Sequence, residues 1–128
     1  MTDYTVLVVE DNDKNLKLVR DVLEFAGFRV LSADNAEVGI ELAVQGAPDL
    51  ILMDLQLPGM NGFEALQVLR DQEATCDVPV VAVTANAMTD DRERAIDEGF
   101  DGFLTKPIDI RAFPAQVRAY LPASEESP

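Results

Sequence analysis

The chain has 128 residues, 48% of them hydrophobic, which is enough for one domain with a buried core and too apolar for a disordered chain. Its formal net charge of −14 disfavours binding to nucleic acid phosphates and to anionic membrane surfaces, so we expect neither as a partner. The absence of histidine excludes histidine acid–base catalysis, histidine metal ligands and a phosphohistidine carrier.

The first half of the chain predicts two strand–helix pairs. Tyr4–Val9 (YTVLVV) is almost wholly apolar, as in a strand covered on both faces. Asn15–Ala26 follows as a helix that Gly27 should end, because its apolar residues recur at spacings of three or four. Phe28–Ala33 alternates like an edge strand, and Asn35–Val44 is the next helix. The apolar stripe of the first helix consists of Leu16, Val19, Leu23 and Ala26, widened by Val22 and Phe25.

The second half predicts three more pairs. Leu50–Met53 and Val78–Val83 are continuous apolar runs, whereas Gly102–Leu104 is short and suits the other edge of the sheet. Helices are predicted over Phe63–Arg70, Thr89–Glu98 and Asp109–Leu121.

Two of these helices have unusual features. In the helix over 89–98, only Ala95 and Ile96 offer clear burial. In the last helix, Pro114 lies past the predicted first turn, so we expect a late start or a bend there. The inward stripe of this last helix should contain Ile110, Phe113, Val117 and Leu121.

The alternation of strand and helix predicts an α/β fold with a five-stranded parallel sheet and helices on both faces. We assign residues 1–122 to this domain and Ala123–Pro128 (ASEESP) to a short polar tail that we expect to be disordered. The N-terminal MTDYTVLVVED has no basic region or cleavage site, and the single Cys76 excludes an internal disulfide. A cytoplasmic location is therefore expected.

Polar side chains follow all five strands, at the edge where ligands bind in open α/β sheets, although Asp34 and Asn35 after the second strand suggest only a helix cap. For each residue alone, a turn or cap is an equally good explanation, but their convergence favours a site. Three carboxylates together repel one another, and an oxygen-only ligand set favours Mg²⁺ as the neutralising ion. The residues are Glu10, Asp11, Asp54, Thr84, Thr105 and Lys106.

A cation, an ammonium and a hydroxyl beside one carboxylate match what a phosphoryl group needs. Asp54 can itself act as the nucleophile and form an acyl phosphate. Thr84 could then move toward the new phosphate and make the modification readable at the surface.

Four motifs in this order resemble the receiver domain of bacterial two-component response regulators, over roughly residues 4–121. They are VVEDN at Val8–Asn12, LMDLQLPGMNG at Leu52–Gly62, VTANA at Val83–Ala87 and FLTKP at Phe103–Pro107. The resemblance implies a CheY-like, flavodoxin-like strand order of 2-1-3-4-5.

The resemblance also implies a phosphorylation site and its metal. Asp54 corresponds to the phosphoacceptor, which takes phosphate from a sensor histidine kinase or a histidine phosphotransfer protein. Mg²⁺ would be held by Glu10, Asp11, Asp54 and the backbone carbonyl of Gln56.

The remaining family roles concern switching. Thr84, Ala85 and Lys106 would contact the phosphate, with Phe103 as the rotating aromatic residue, here without a hydroxyl. The Lys106–Pro107 peptide bond would be cis. Gly62 would serve the tight loop before the third helix. Gln56 and Asn86 occupy the two positions that tune phosphate lifetime in the family.

A downstream protein would bind the face formed by the fourth helix, fifth strand and fifth helix. The resemblance is to stand-alone regulators of the DivK type and to receivers of hybrid kinases, acting as a monomer or a phosphorylation-dependent dimer. The residues of this output face are Met88, Asp90, Asp91, Arg94, Phe103 and Arg111.

Three alternatives stay open on sequence grounds. A Mg²⁺-dependent phosphatase or phosphotransferase similar to haloacid dehalogenases would carry an acid two residues after the nucleophile, where this chain has Gln56. A flavodoxin-like cofactor binder would need a Gly/Ser/Thr-rich phosphate loop after the first strand, where this chain has Glu10 and Asp11. A degenerate receiver would lack some of the chemical groups, all of which are present.

Overall fold

The computed structural model describes residues 4–85, 89–106 and 108–121, and for residues 89–91 only the backbone. The strands are β1 (Thr5–Val9), β2 (Arg29–Ala33), β3 (Leu50–Asp54), β4 (Val80–Thr84) and β5 (Gly102–Thr105). The helices are α1 (Asp13–Phe25), α2 (Ala36–Gly46), α3 (Gly62–Arg70), α4 (Thr89–Glu98) and α5 (Phe113–Arg118). None of the helices in these described ranges is long and apolar enough to cross a bilayer.

The five strands form one parallel sheet in the order β2-β1-β3-β4-β5, which confirms the predicted fold class and strand order. From β1 the chain goes first to β2 on one side and then to β3 on the other. The crevice between the carboxyl ends of β1 and β3 is therefore the topological switch point, where such sheets bind ligands.

Each face of the sheet has its own hydrophobic core, because alternate residues of a strand point to opposite faces. All residues of β3 and β4 are buried, as their continuous apolar sequences predict. The core against α2, α3 and α4 includes Leu7, Val9, Ile51, Met53, Val80 and Ala82. The core against α1 and α5 includes Val6, Val8, Leu50, Leu52, Val81 and Val83.

Two elements begin later than their apolar patterns alone indicate. β4 begins at Val80 rather than Val78, because Pro79 has no N–H and the Val78 carbonyl accepts a hydrogen bond from Arg70 Nη1 at 2.7 Å. α5 begins late, as predicted, and Pro114 falls in its first turn, where a missing N–H costs no helix bond.

Three expectations of burial are wrong. Phe25 is 96% exposed, because it lies about 200° around α1 from the buried Leu23. Ile96 follows the buried Ala95 by about 100° and is 51% exposed on the solvent side of α4. Ile110 lies in the turn before α5 rather than on its inward stripe, and it is 53% exposed.

The helices are held at their ends by local hydrogen bonds. The side chains of Asn12, Asn35 and Asn61 cap α1, α2 and α3, and Asn61 forms a capping box with Glu64. Asn35 thus has the capping role expected of it. The predicted domain boundary at residue 122 and the polar tail lie outside the described residues.

The C-terminal end of α4 is tied to α3 by side chains that bind its last carbonyl groups. Gln67 Nε2 donates to the Glu98 carbonyl and Arg70 Nη2 to the Gly99 carbonyl, both at 3.4 Å. Arg70 also pairs with Asp101 at 2.9 Å, next to the start of β5. This end of the helix is therefore fixed to the scaffold by α3.

Candidate functional site

The structure brings the polar residues that follow the strands together at one edge of the sheet. Glu10 and Asp11 follow β1, Asp54 ends β3, Thr84 ends β4, and Lys106 follows β5. Lys106 Nζ and Asp54 Oδ2 are 2.9 Å apart although the residues are 52 positions apart in the sequence. The predicted convergence is thus present in the fold.

Three carboxylates form the centre of the site. One oxygen atom from each of Glu10, Asp11 and Asp54 lies within 4.8 Å of the others. Glu10 and Asp54 are buried and Asp11 is exposed, so the cluster opens to solvent on one side. A set of hard oxygen donors with this spacing is compatible with Mg²⁺ and offers nothing that favours a soft metal.

Lys106 is the cation that faces these acids. Its Nζ lies 2.6 Å from Glu10 Oε1 as well as 2.9 Å from Asp54 Oδ2, and only 15% of its side chain is exposed. Within the described ranges, no other ammonium or guanidinium pairs with the cluster. One positive charge therefore stands against three negative charges, which leaves the site with an excess of about two negative charges for a cation to neutralise.

Burial and pairing shift two pKa values here. Burial raises the pKa of Glu10 above its ordinary value, and the nearby Asp54 charge adds to this, although Lys106 and the Asn12 N–H oppose it. Burial lowers the pKa of Lys106, but its hydrogen bonds to Glu10 and Asp54 outweigh this, so its pKa is raised. Lys106 is therefore charged throughout the physiological range.

Backbone N–H groups orient the two buried carboxylates. The Asn12 N–H donates to Glu10 Oε2 at 3.1 Å, and the Gln56 N–H donates to Asp54 Oδ1 at 3.0 Å. The sequence analysis did not identify Asn12 in this role. Its position directly after the acidic pair was a usable signal, because Asn12 is also the residue that caps α1.

Gly62 allows α3 to start close against the end of β3. A Cβ atom at this position would lie 2.6 Å from the Asp54 carbonyl oxygen and 2.9 Å from the Leu55 Cα. The Gly62 N–H donates to the Leu55 carbonyl at 3.1 Å, which closes the loop. The expected need for glycine thus comes from close backbone approach.

The predicted switch residues lie at the end of β4, just after it, and on β5. Thr84 is buried at the end of β4, and its carbonyl accepts the Lys106 N–H at 2.9 Å. Ala85 is exposed immediately after it. Phe103 on β5 is half-buried and packs against the core on the α2–α3–α4 face, between the protein interior and solvent.

Some predicted residues fall outside the described part of the chain. These are Asn86, Met88 and Pro107, with the Lys106–Pro107 bond, and the side chains of Asp90 and Asp91. Of the other output-face residues, Arg111 is exposed, whereas Arg94 stacks on the Phe63 ring at 3.9 Å and pairs with Glu98 at 2.8 Å.

A mostly apolar cavity of about 90 Å³ lies beside Lys106 and Asp54, between α1 and the start of α5. Its lining includes Leu18 and Ile108, which sequence reasoning did not identify as part of the site. Leu18 gave a signal, because it is an apolar residue outside the predicted stripe of α1 and is partly exposed.

Comparisons with known proteins agree with this geometry. The family model of the response regulator receiver domain matches residues 6–118. The polar-differentiation response regulators DivK of Brucella anthropi and Brucella abortus are each 40% identical over 117 residues, which cover 91% of this chain and 95% of theirs.

Solved structures show the same fold. The receiver domain of the sensor histidine kinase PA1611 from Pseudomonas aeruginosa, which has a magnesium ion coordinated in its active site cleft, is 31% identical with a TM-score of 0.85, covering 93% of this chain and 98% of that one. The chemotaxis protein CheY4 of Vibrio cholerae, 24% identical, superimposes with a TM-score of 0.88, over 94% of this chain and 100% of its own. The chain therefore belongs to the response regulator receiver domain family of two-component systems.

Proposed function

We propose that this receiver accepts a phosphoryl group on Asp54, with Mg²⁺ bound by Glu10, Asp11, Asp54 and the backbone carbonyl of Gln56. The observation that carries this proposal is the placement of one ammonium, from Lys106, against a cluster of three carboxylates at the switch point of the sheet. Bound Mg²⁺ would supply positive charge to neutralise the phosphoryl oxygens. The receiver domain of PA1611, which binds magnesium in its cleft, supports the choice of metal.

The chain's own groups prepare Asp54 as a nucleophile. The Gln56 N–H and Lys106 Nζ each bind one carboxylate oxygen and fix the plane of the group. In the transfer, an Asp54 oxygen forms a bond to phosphorus as the bond from phosphorus to the donor imidazole nitrogen breaks, and the imidazole keeps that electron pair. The donor is a sensor histidine kinase or a histidine phosphotransfer protein.

The signal is then read through Thr84 and Phe103. The Thr84 hydroxyl at the end of β4 and the Ala85 N–H after it would donate to the phosphoryl oxygens, and Lys106 would complete the set. Phe103 is half-buried, so it can turn inward when Thr84 moves. A downstream protein would sense this change on the face of α4, β5 and α5, in the cytoplasm, where histidine kinases act. Gln56 and Asn86 would tune the phosphate lifetime.

Mass spectrometry after incubation with acetyl phosphate or beryllofluoride tests the site. We expect one adduct on the wild-type chain that requires Mg²⁺ and is absent from Asp54→Asn. Glu64→Gln is a suitable control because Glu64 is an acid on α3 outside the cluster, and it should form the adduct normally. An adduct of equal yield in Asp54→Asn would refute the assignment of Asp54.

The same samples distinguish the switch from a phosphatase. A receiver should release phosphate only from its own acyl phosphate and should not hydrolyse a series of phosphomonoesters with steady turnover. Steady hydrolysis of such esters, abolished in Asp54→Asn, would favour the enzyme instead.

A further inference from the structure

Arg94 joins the middle of α4 to the start of α3. Its guanidinium carbon lies 3.9 Å from the centre of the Phe63 ring, and its Nε donates to Glu98 Oε2 at 2.8 Å. A planar guanidinium that stacks on a ring, while a carboxylate holds its edge, has both its position and its orientation fixed. This contact therefore links one residue of α4 to one residue of α3.

Phe63 brings this link close to the acidic site. It follows Gly62, which approaches the Asp54 carbonyl so closely that a Cβ atom would not fit. The Phe63 ring is 9% exposed and meets the Phe100 ring edge to face, with 5.8 Å between the ring centres. Because close-packed side chains transmit small displacements, the ring should move together with the start of α3.

The loop over residues 55–61 connects the acidic site to this ring. Its first part contacts the site, because the Gln56 N–H donates to Asp54 Oδ1 at 3.0 Å. Its last part is fixed to α3, because Asn61 caps that helix and forms a capping box with Glu64. A change in the hydrogen bonds of Asp54 therefore acts on a segment that ends at Phe63.

The rest of α4 is held mainly at its C-terminal end. Gln67 and Arg70 bind the carbonyl groups of Glu98 and Gly99 there. Among the side chains of α4 that the structure describes, Ala95 alone is buried. The stack on Phe63 is therefore one of the few contacts that hold the middle of this helix.

We infer that Arg94 is a positioning residue that couples α4 to the loop beside Asp54 through the Phe63 ring. Modification of Asp54 changes the hydrogen bonds of the loop, the start of α3 moves with it, and the stacked guanidinium transfers this movement to α4. The route does not pass through Thr84 or Phe103. The input at Asp54 rests on the proposed function, whereas the coupling of loop and helix rests on the contacts themselves.

The coupling is reciprocal, so it can be measured from the α4 end in the unmodified protein. We expect Arg94→Met to speed amide hydrogen exchange in residues 55–61 about twofold to fivefold, the range that one exposed cation–π contact supplies. Because 57% of the Arg94 side chain is exposed, this change opens no cavity in the core.

Arg92→Met is the matched control for this measurement. Arg92 is an exposed arginine of the same helix that makes no ion pair or ring contact with the other described residues. Its replacement should leave the exchange of the loop unchanged. Arg94→Lys keeps the charge but loses the planar group, so it should give an intermediate increase. Equal exchange of the loop in Arg94→Met and in the wild type would overturn the inference.

Phe63→Leu tests whether the effect passes through the ring. It should also speed exchange in residues 55–61, and adding Arg94→Met should produce no further increase, because either change alone breaks the stack. Fully additive effects of the two substitutions would show that Arg94 acts on the loop by another path, which contradicts the inference.

Beryllofluoride with Mg²⁺ supplies the modified state. Formation of the adduct should change amide exchange across α4 in the wild type, and Arg94→Met should lower that change about twofold or more at an equal adduct yield. Thr84→Ala should leave a residual change that Arg94→Met removes. An undiminished α4 response in Arg94→Met would also overturn the inference. A wild type that forms no adduct would refute the proposed function, while exchange in the unmodified protein would still decide the coupling.

Discussion

At the scale of single residues, Lys106 determines how the buried carboxylates of the acidic site are held. It makes ion pairs with both buried carboxylates, and only 15% of its side chain is exposed to solvent. The sequence predicted its role from its position after β5, but not its pairing with Glu10. Which of several acids a lysine reaches depends on rotamers and distances that strand spacing does not fix.

Replacement of this lysine should therefore be costly at neutral pH. We expect Lys106→Met to lower the free energy of unfolding by about 1–3 kcal/mol at pH 7, because two buried carboxylates lose their hydrogen-bonded cation. Despite burial, the ion pairs raise the folded-state pKa of Lys106 above its ordinary 10.5, so its contribution is complete below pH 10.5 and is lost as the pH rises further. Urea unfolding at pH 7 and at about pH 11.5 should show the difference between variants shrinking.

Lys17→Met is the matched control for this measurement. Lys17 also pairs with a carboxylate, Asp21, at 2.8 Å, but 78% of its side chain is exposed. Its loss should cost at most about 0.5 kcal/mol. If both variants lost the same stability, the burial of Lys106 would not explain its contribution.

At the scale of elements, apolar patterning predicted every strand and helix, with boundaries wrong by a few residues. Continuous apolar runs identified the buried β3 and β4 because only strands covered on both faces need them. The errors at Phe25, Ile96 and Ile110 have a common cause. Periodicity shows that a helix has an apolar side, but the width of sheet that covers this side decides which flanking residues stay exposed.

The start of α3 offers a test of how an element positions the site. Gly62→Ala should lower the free energy of unfolding by about 1–3 kcal/mol, because the new methyl group meets the Asp54 carbonyl and the Leu55 Cα, which cannot move freely. It should also reduce the yield of the beryllofluoride adduct. Chemical unfolding and adduct yield are the two measurements.

Gly46→Ala at the end of α2 is the comparison for Gly62→Ala. Its new methyl group would meet only the end of the flexible Leu31 side chain. We expect a stability change within about 1 kcal/mol and a normal adduct. A normal adduct in Gly62→Ala as well would show that the tight approach of α3 to β3 does not position Asp54.

At the scale of the whole molecule, the site exists because the strand order brings distant segments together. The sequence showed polar residues after each predicted strand. The predicted parallel topology then placed these residues at one edge of the sheet. The cluster also concentrates like charge at one point of a chain whose net charge is −14. Function here opposes stability, because neighbouring carboxylates that would bind a metal repel one another without it.

Cations should therefore stabilise the chain in two separable ways. Sodium chloride should raise the thermal midpoint of the wild type by general screening, and Mg²⁺ at matched ionic strength should raise it further by binding the cluster. Asp11→Asn should be slightly more stable than the wild type without Mg²⁺, since one of three repelling charges is gone, and should lose most of the Mg²⁺-specific increase. Differential scanning calorimetry gives both midpoints, and an Mg²⁺ effect that persists undiminished in Asp11→Asn would place the ion elsewhere.

The attachment of α4 has a mechanical consequence for signalling. Gln67 and Arg70 fasten the helix at its C-terminal end, far from the carboxyl edge of the sheet, while its opposite end begins just beyond the Thr84 strand. Because α4 is held at its C-terminal end, its N-terminal end has more freedom to move. If Thr84 moves toward a phosphoryl group as proposed, the start of α4 at Thr89 would shift the most and its end at Glu98 the least, so a partner could detect the change at the start of this helix.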